Sequence, residues 1–495
     1  MSNDRTPPTY GNWRVPRAAG LGKLSFGTSV SLIVGLVIAV LAAMTGGLAK
    51  AALVLVFVGF MVVSFSVKDK HQLSIADRVK EKAMWWRRKR KGTHFRSGGL
   101  APRDTGGAFE LPGVLRKVKV TAHRDPYDRE FALVEHASGT VAVVMSASPD
   151  GYALVDPEVI DMQVARWGVW LANLSDETGI VGAAVTVETA PDSGDRLRRE
   201  VAATISDTAP DVAKQMLSEA VNTYPRGAAQ VRAWVTLTFD PTRMGARGRG
   251  GDAIAREIGT RLPSLLQSLS QTGAGGIHLV TVSELARIVR VAFDPASETL
   301  FEQAAVEGTQ VALDWTQVGP GYAKMNFESY EHDSAVSKSW TMSVAPRGNV
   351  QSSILGKLVS PQRDVARKRV TLLYKPIPSA RAVNIVDRDL AQASAAASSA
   401  TASARAKAER RAAQQVADEE AQGASLIDFT MIVTATARRG EDLGELSATV
   451  DALSSTARLV MRTAYGAQDT AFAMGLPLGL RPHTDSALSQ VSGLM

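Results

Sequence analysis

The seven histidines are the first side chains to consider for metal binding or acid–base catalysis, and their spacing supports neither. They form no His-Glu-x-x-His motif and no pair with the spacing of zinc ligands. The chain has no cysteine, which excludes disulfides, iron–sulfur clusters and thiol nucleophiles. The sequence therefore predicts no metal site and no cofactor. The histidines are His71, His94, His123, His136, His278, His332 and His483.

Motifs for phosphate chemistry and for nucleophilic catalysis are absent as well. The Gly-Lys pairs at Gly22 and Gly356 are each followed by Leu and lack the upstream glycine of a P-loop. The glycine- and arginine-rich stretch from Gly245 to Gly251 is interpreted as a polar loop between a strand and a helix rather than as a phosphate cradle. No Gly-x-Ser-x-Gly elbow occurs. We predict a protein that is not an enzyme and has no catalytic residue.

The densest group of charged and aromatic side chains is "MWWRRKRKG", residues 84–92. Indoles beside cations are typical of nucleic-acid contact or of a membrane surface. Residues 1–98 contain 16 Lys and Arg against 4 Asp and Glu, whereas the whole chain carries a net charge of only +7. The rest of the chain is therefore acidic overall, and we predict that nucleic acid is not the partner.

Two apolar runs precede this basic cluster, at 28–44 and 48–67, with Thr-Gly-Gly between them. Each is close to the ~20 residues with which a helix crosses a bilayer. A signal peptide would be followed by polar sequence instead of a second apolar run. The sequence predicts a transmembrane helical hairpin over 27–67. Basic flanks on both sides predict a multi-pass protein of the inner (cytoplasmic) membrane with both termini cytoplasmic.

The stretch "LSIADRVKEKAMWW", residues 73–86, has the periodicity of a basic amphipathic helix lying along the membrane surface. Its cations would contact anionic lipid headgroups and its indoles would lie in the interface. A solvated basic flank without lipid contact, and DNA contact by the same cluster, are the alternatives. The predicted membrane-interface residues are Trp85, Trp86, Arg87, Arg88, Lys89, Arg90 and Lys91.

The rest of the chain reads as an α+β body. A β-β-α-β pattern runs from residue 129 to 191 and is followed by further alternating helices and strands. Hairpins among the strands favour cytoplasmic ferredoxin-like α/β subdomains over a doubly wound sheet. An Ala-rich stretch without proline predicts a long exposed helix, or a connector that frays in its Ser/Thr part. The predicted organisation is a basic N-terminus at 1–26, the hairpin at 27–67, a juxtamembrane helix and linker at 68–107, the body at 108–385, the Ala-rich connector at 386–425 and a C-terminal α+β segment at 426–495.

The C-terminal stretch that runs from "FTMIVTATARRGEDLGEL" to "QDTAFAMGLPLG", residues 429–479, resembles part of the N-terminal domain of the conjugation ATPases of type IV secretion systems. The resemblance rests on Ala471 and on a predicted structural motif of five further residues. The N-terminal hairpin is similar to the small two-helix inner-membrane subunit beside that ATPase, and the combined build is similar to actinobacterial conjugation proteins. The motif residues are Gln468, Phe472, Leu476, Pro477 and Gly479.

This resemblance implies a non-catalytic inner-membrane scaffold that docks a separate P-loop ATPase and other subunits of the secretion channel. The sequence ends 18 residues after Pro477, so ATP hydrolysis is not part of the expectation. The stretches 139–148 and 164–190 also resemble the membrane core component of type VII secretion, which is the alternative machine. A membrane-anchored DNA-binding protein is the alternative class, and homo-oligomerisation stays open.

Overall fold

The computed structural model describes residues 9–10, 26–66, 69, 71, 73–97, 109–149, 151, 155–192, 194–206, 208–223, 229–245, 248, 250–309, 311, 313–346, 350–362, 364–398 and 402–482. Within them the fold is α+β, as the sequence predicts. The strands are β1 Thr9–Tyr10, β2 Phe95–Ser97, β3 Lys119–Arg124, β4 Glu130–Glu135, β5 Val141–Ser148, β6 Ile180–Pro191, β7 Ala229–Phe239, β8 Gly276–Leu279, β9 Tyr322–Met325, β10 Tyr330–His332, β11 Ala335–Val344, β12 Val350–Gln351, β13 Arg367–Pro376, β14 Ile427–Arg438 and β15 Val460–Thr463. The α-helices are α1 Phe26–Ser66, α2 Ile75–Arg90, α3 Pro157–Asp176, α4 Asp195–Thr204, α5 Asp211–Thr223, α6 Gly251–Ser270, α7 Val282–Phe293, α8 Glu298–Val306, α9 Gly356–Val359, α10 Ser379–Ala397, α11 Ala404–Ala421, α12 Leu443–Thr456 and α13 Gln468–Met474.

One antiparallel sheet of 13 strands organises the described body. Its order is β2-β9-β10-β11-β14-β13-β6-β7-β5-β4-β3, with β15 added on β11 and β8 added on β5. Strand β5 reads as a continuous apolar run from Val141 to Met145, because both of its faces are covered.

Apart from the edge strand β2, the sheet consists of two copies of one topology. The first copy runs from β3 to α7 and the second from β9 to α13. In the first copy β4, β7 and β8 pair with β5, and in the second β10, β14 and β15 pair with β11. Both copies contain a β-α-β-β-α-β series with the spatial order 4-1-3-2. The two copies meet where β6 pairs with β13, from Ala183 opposite Tyr374 to Thr189 opposite Lys368.

Three apolar cores cover the two faces of this sheet. On one face, α3 and α6 pack on the first copy and α9 and α12 pack on the second. On the other face a single core extends across both copies and includes α7, α13 and residues 476–480. Trp167 and Trp170 of α3 stack at 4.7 Å between ring centroids under the first copy, and Trp170 is buried.

Helix α1 is a hairpin of two helical arms. Its backbone leaves helical geometry at Gly47, where φ is +78°, which suits a glycine. The arms lie side by side, because a Cβ on Gly35 would meet Cγ2 of Val58 at 2.4 Å. Most of the large apolar side chains described in the arms are exposed, Phe57 by 64% and Phe60 by 71%. Across the described residues, none of the helices has both the length and the apolar character of a membrane span.

Three predicted elements differ from the structure. The Ala-rich segment is not one long helix: α10 ends at Ala397, α11 begins at Ala404, and the two pack together. A Ser/Thr-rich stretch of low helix propensity separates them, and Ser403 caps α11 by accepting from the N–H of Ala406. The predicted linker contains β2, which pairs with β9. The sequence pattern of residues 441–464 predicts one continuous helix, but α12 ends at Thr456 and the strand β15 follows it.

Candidate functional site: the junction of the basic helix and the C-terminal motif

The basic helix α2 begins with a reciprocal cap. Ser74 Oγ accepts from the N–H of Asp77 at 3.2 Å, and Asp77 Oδ2 accepts from the N–H of Ser74 at 3.0 Å. This capping box satisfies two backbone donors at the start of the helix. Leu73, just before the cap, is buried. The cap and the buried Leu73 therefore fix the start of α2 at Ile75, nine residues after α1 ends at Ser66.

One face of α2 is held on the second copy of the fold by an ion pair. Glu81 and Arg462, on β15, form a bidentate pair in which Arg462 Nη1 lies 2.9 Å from Glu81 Oε1. The two side chains are 4% and 12% exposed. Because both groups are largely out of water, removing one would leave the other as a buried charge.

A second contact lies two turns further along the helix. Arg88 pairs with Asp469 of α13, with Nη1 at 3.2 Å from Oδ1. Trp85 packs edge-on against Phe327 at 5.4 Å between ring centroids. It also crosses Gly466, where φ is +66° and a Cβ would meet Trp85 Cβ at 3.1 Å. Gly466 thus permits a close approach between the helix and the chain that leads into α13.

The other face of α2 is exposed. Trp86 is 50% exposed, and the guanidinium of Arg90 lies 3.6 Å from its ring centroid. Arg87, Lys89 and Lys91 are exposed as well. The structure therefore divides the seven predicted interface residues: Trp85 and Arg88 contact the body, and the other five face outward.

The predicted motif begins with Gln468, which is fully buried. Its side-chain amide accepts from the N–H of Ser339 at 2.8 Å and donates to the carbonyl of Ser339 at 3.1 Å. The side chain therefore takes the place of a strand partner for the N–H of Ser339, and its amide shares the carbonyl of Ser339 with the N–H of Ala464. Phe472, also fully buried, packs against Phe293 at 5.1 Å and His332 at 4.9 Å between ring centroids.

The remaining motif residues form a strap, residues 475–480, which runs from the second copy onto the first. Its carbonyls at Gly475, Leu478 and Gly479 accept from Thr371 of β13, His136 and Thr238 of β7, respectively, at 2.9, 2.7 and 2.9 Å. Leu476 and Pro477 are buried in it. At Gly479 φ is +72°, and a Cβ would meet Ala142 Cβ at 2.5 Å. At position 479 the strap therefore lies too close to the sheet for any residue larger than glycine.

The junction brings the two predicted residue sets together. Arg88 of the basic cluster pairs with Asp469, which directly follows Gln468 of the motif. Neither Glu81 nor Arg462 was singled out from the sequence. Glu81 lies between two lysines, and a single acidic residue inside a basic helix is the signal that could have indicated a partner elsewhere.

A buried charge cluster lies beside the strap where the copies meet. Glu188 of β6 pairs with Arg367 and Arg369 of β13 at 2.8 and 2.6 Å. Burial alone would raise the pKa of Glu188, but the guanidiniums of Arg369 and Arg367 lower it to about 2. Arg367 also pairs with Glu298 of α8. Because the groups come from strands 180 residues apart in the chain, their spacing in the sequence could not reveal them.

Burial lowers the pKa of His332 to about 4, although its hydrogen bond to the carbonyl of Phe293 opposes the shift. Its Nδ1 donates to that carbonyl at 2.6 Å, and Nε2 accepts from Ser337 Oγ at 2.7 Å. The imidazole is therefore neutral at physiological pH and serves the packing around Phe472. In the part of the chain that the structure describes, no group of three or more His, Asp and Glu could hold a metal ion.

Comparison with protein-family models gives no match, and a search of curated proteins gives no significant match.

Proposed function

We propose that this chain is a membrane-anchored, non-catalytic scaffold subunit of a type IV-like secretion or conjugation machine, located at the inner membrane with both termini cytoplasmic. Its hairpin α1 inserts into the bilayer, and its body docks a separate P-loop ATPase and other channel subunits. Each copy of the β-α-β-β-α-β series is a ferredoxin-like unit. The resemblance of the motif around Gln468 and Phe472 to conjugation ATPases supports the choice of machine.

The observation that carries the anchoring part is that both ends of the hairpin return to the body. Before the hairpin, β1 pairs with β12, Thr9 opposite Gln351 and Tyr10 opposite Val350. After it, α2 is held by Arg462 and Asp469. A hairpin whose two ends are held by one body enters and leaves a bilayer on the same side.

The surface of the hairpin supports lipid as its surroundings. Exposed apolar side chains occur along both arms, among them Ile33, Leu36, Leu53 and Phe57. So large an apolar surface is rare on a soluble monomer and needs a cover.

The test is a mild-detergent purification of the tagged full-length chain from its native host, with identification of the bound proteins. Membranes are first washed with alkaline carbonate, and we expect the chain to stay in the membrane pellet. We then expect co-purification of a P-loop conjugation ATPase, with ATPase activity in that partner and none in the isolated chain.

Three results would contradict the proposal in different ways. Release by carbonate would argue against insertion of the hairpin. Recovery of the type VII membrane core would assign the chain to that machine. Binding of duplex DNA that weakens steeply with salt, without either set of protein partners, would favour a membrane-anchored DNA-binding protein.

A further inference from the structure

The outward face of α2 carries an apolar stripe of its own. Ile75, Val79 and Trp86 are 49%, 62% and 50% exposed. At 100° per residue these three positions fall within about 40° of one another around the helix. The docked residues Glu81 and Trp85 lie on a different side, between about 80° and 160° away. Helix α2 therefore has two faces with different surroundings: one contacts the body, and the other exposes the apolar stripe.

The charge around the stripe is positive. Lys82, Arg87 and Arg90 are exposed beside it. The two carboxylates of α2 are both engaged elsewhere, Asp77 in the cap and Glu81 with Arg462. The outward face thus presents apolar groups and cations without a competing acid.

We propose that this outward face binds the surface of a bilayer that contains anionic lipids. Ile75, Val79 and Trp86 enter the interface, and Arg87 and Arg90 contact headgroup phosphates. This inference rests on the proposed membrane anchoring and adds a second, shallow lipid contact to it. Two observations select lipid as the occupant: the stripe begins nine residues after the apolar hairpin, and its cations complement anionic headgroups.

The proposal assigns different roles to adjacent tryptophans. Trp85 packs on Phe327 and fixes the helix to the body, while Trp86 faces lipid. The body is thereby held at a set orientation to the bilayer, because one rigid helix contacts both. Loss of the lipid contact would leave α2 docked but free the body to tilt about the hairpin.

The absence of cysteine allows a direct test with single-cysteine variants of the full-length chain. A fluorophore is placed at Val79→Cys on the stripe, at Phe57→Cys in the hairpin and at Ala137→Cys on an exposed turn of the body. Each protein is reconstituted into nanodiscs of phosphatidylcholine, with or without phosphatidylglycerol. Lipids carrying a spin label near the headgroup or deep in the acyl chain serve as quenchers.

We expect deep quenching at position 57, shallow quenching at position 79 that increases with phosphatidylglycerol, and none at 137. Arg87→Gln together with Arg90→Gln should reduce the phosphatidylglycerol-dependent part at position 79 at least about twofold. The matched control replaces two exposed arginines of α11, Arg410 and Arg411, with Gln and should change nothing.

The failure of each idea is recognisable. Quenching at 57 without quenching at 79 overturns the lipid contact of α2 and leaves the anchor intact. No quenching at either position overturns both. A response at 79 to duplex DNA that displaces the lipid signal would assign the face to nucleic acid and overturn the proposal.

Discussion

The two copies of the fold share their strand pairing but differ in how each is finished. In the first copy, α7 follows β8 and begins with its own capping box, in which Thr281 Oγ1 accepts from the N–H of Glu284 and Glu284 Oε2 accepts from the N–H of Thr281. In the second copy, α13 follows β15 and begins with Gln468, whose side chain forms hydrogen bonds with the backbone of β11 instead of capping the helix.

The two copies therefore differ at their last helices, α7 and α13, although their strands pair in the same order. Helix α7 has a cap of its own and contacts the second copy through Phe293, which packs on Phe472. Helix α13 instead continues directly into the strap, which crosses to the first copy. Helix α2 also docks on the second copy, through β15 and α13. The two copies thus share one strand topology, but the contacts that hold α2, and through it the hairpin α1, on the body lie in the second copy.

The largest expected loss of stability comes from adding a methyl group where the strap contacts the sheet, at Gly479. Gly479→Ala places a Cβ against Ala142 and Thr238 at a residue with positive φ. We expect the free energy of unfolding to fall by about 3 to 5 kcal/mol in denaturant titrations of the detergent-solubilised protein.

The matched control is Gly440→Ala. Gly440 also has positive φ, +98°, but nothing lies within 4 Å of its Cβ position, so about 1 to 2 kcal/mol is expected from the backbone alone. Equal losses in the two variants would mean that the strap is not clamped between the copies.

The second prediction concerns the docking of α2 on the second copy. Glu81→Gln and Arg462→Met should each destabilise the docked helix by about 3 kcal/mol, because each leaves the opposite charge buried and unpaired. The double variant should recover part of that loss. Hydrogen exchange of the α2 amides gives the measurement.

As a control for this cycle, Arg124→Met removes an exposed pair with Asp128 and should leave the stability nearly unchanged, because water already screens that pair. Additive losses in the Glu81 and Arg462 variants would show that the two side chains do not interact, and the junction would then depend on Trp85 and Arg88.

The third prediction uses histidines at the matching ends of β4 and β10. Nε2 of His136 donates to the strap at Leu478, whereas Nε2 of His332 accepts from Ser337. The pKa of His332 is about 4 when folded against an ordinary value of 6.5. The unfolded chain therefore binds the proton first, and stability should fall by up to about 3 kcal/mol as pH drops from 6.5 to 4.

His332→Asn should reduce this pH-dependent loss, because the amide has no proton to bind. The amide keeps a donor for the carbonyl of Phe293, but stability at neutral pH should fall because the ring contact with Phe472 is lost. A profile that is the same in wild type and His332→Asn would contradict the assignment of a neutral, buried imidazole.

Much of the secondary structure was predictable because it depends on local pattern. The β-β-α-β unit between residues 129 and 191 and the polar loop near Gly245 follow from periodicity and glycine content. The duplication does not follow from pattern, because the helices α4 and α5 separate β6 from β7 in the first copy. Strand β15 was missed because its four residues, Val460 to Thr463, follow a helical pattern without a turn signal long enough to separate them.

By itself the sequence determined the apolar hairpin, the basic amphipathic helix and the α+β composition, since each is written in neighbouring residues. Only the tertiary structure decided that β6 pairs with β13, that Glu81 finds Arg462 across 381 positions and that Trp85 and Trp86 face opposite surroundings. These contacts depend on which faces remain uncovered once the elements pack, and no local pattern encodes that outcome.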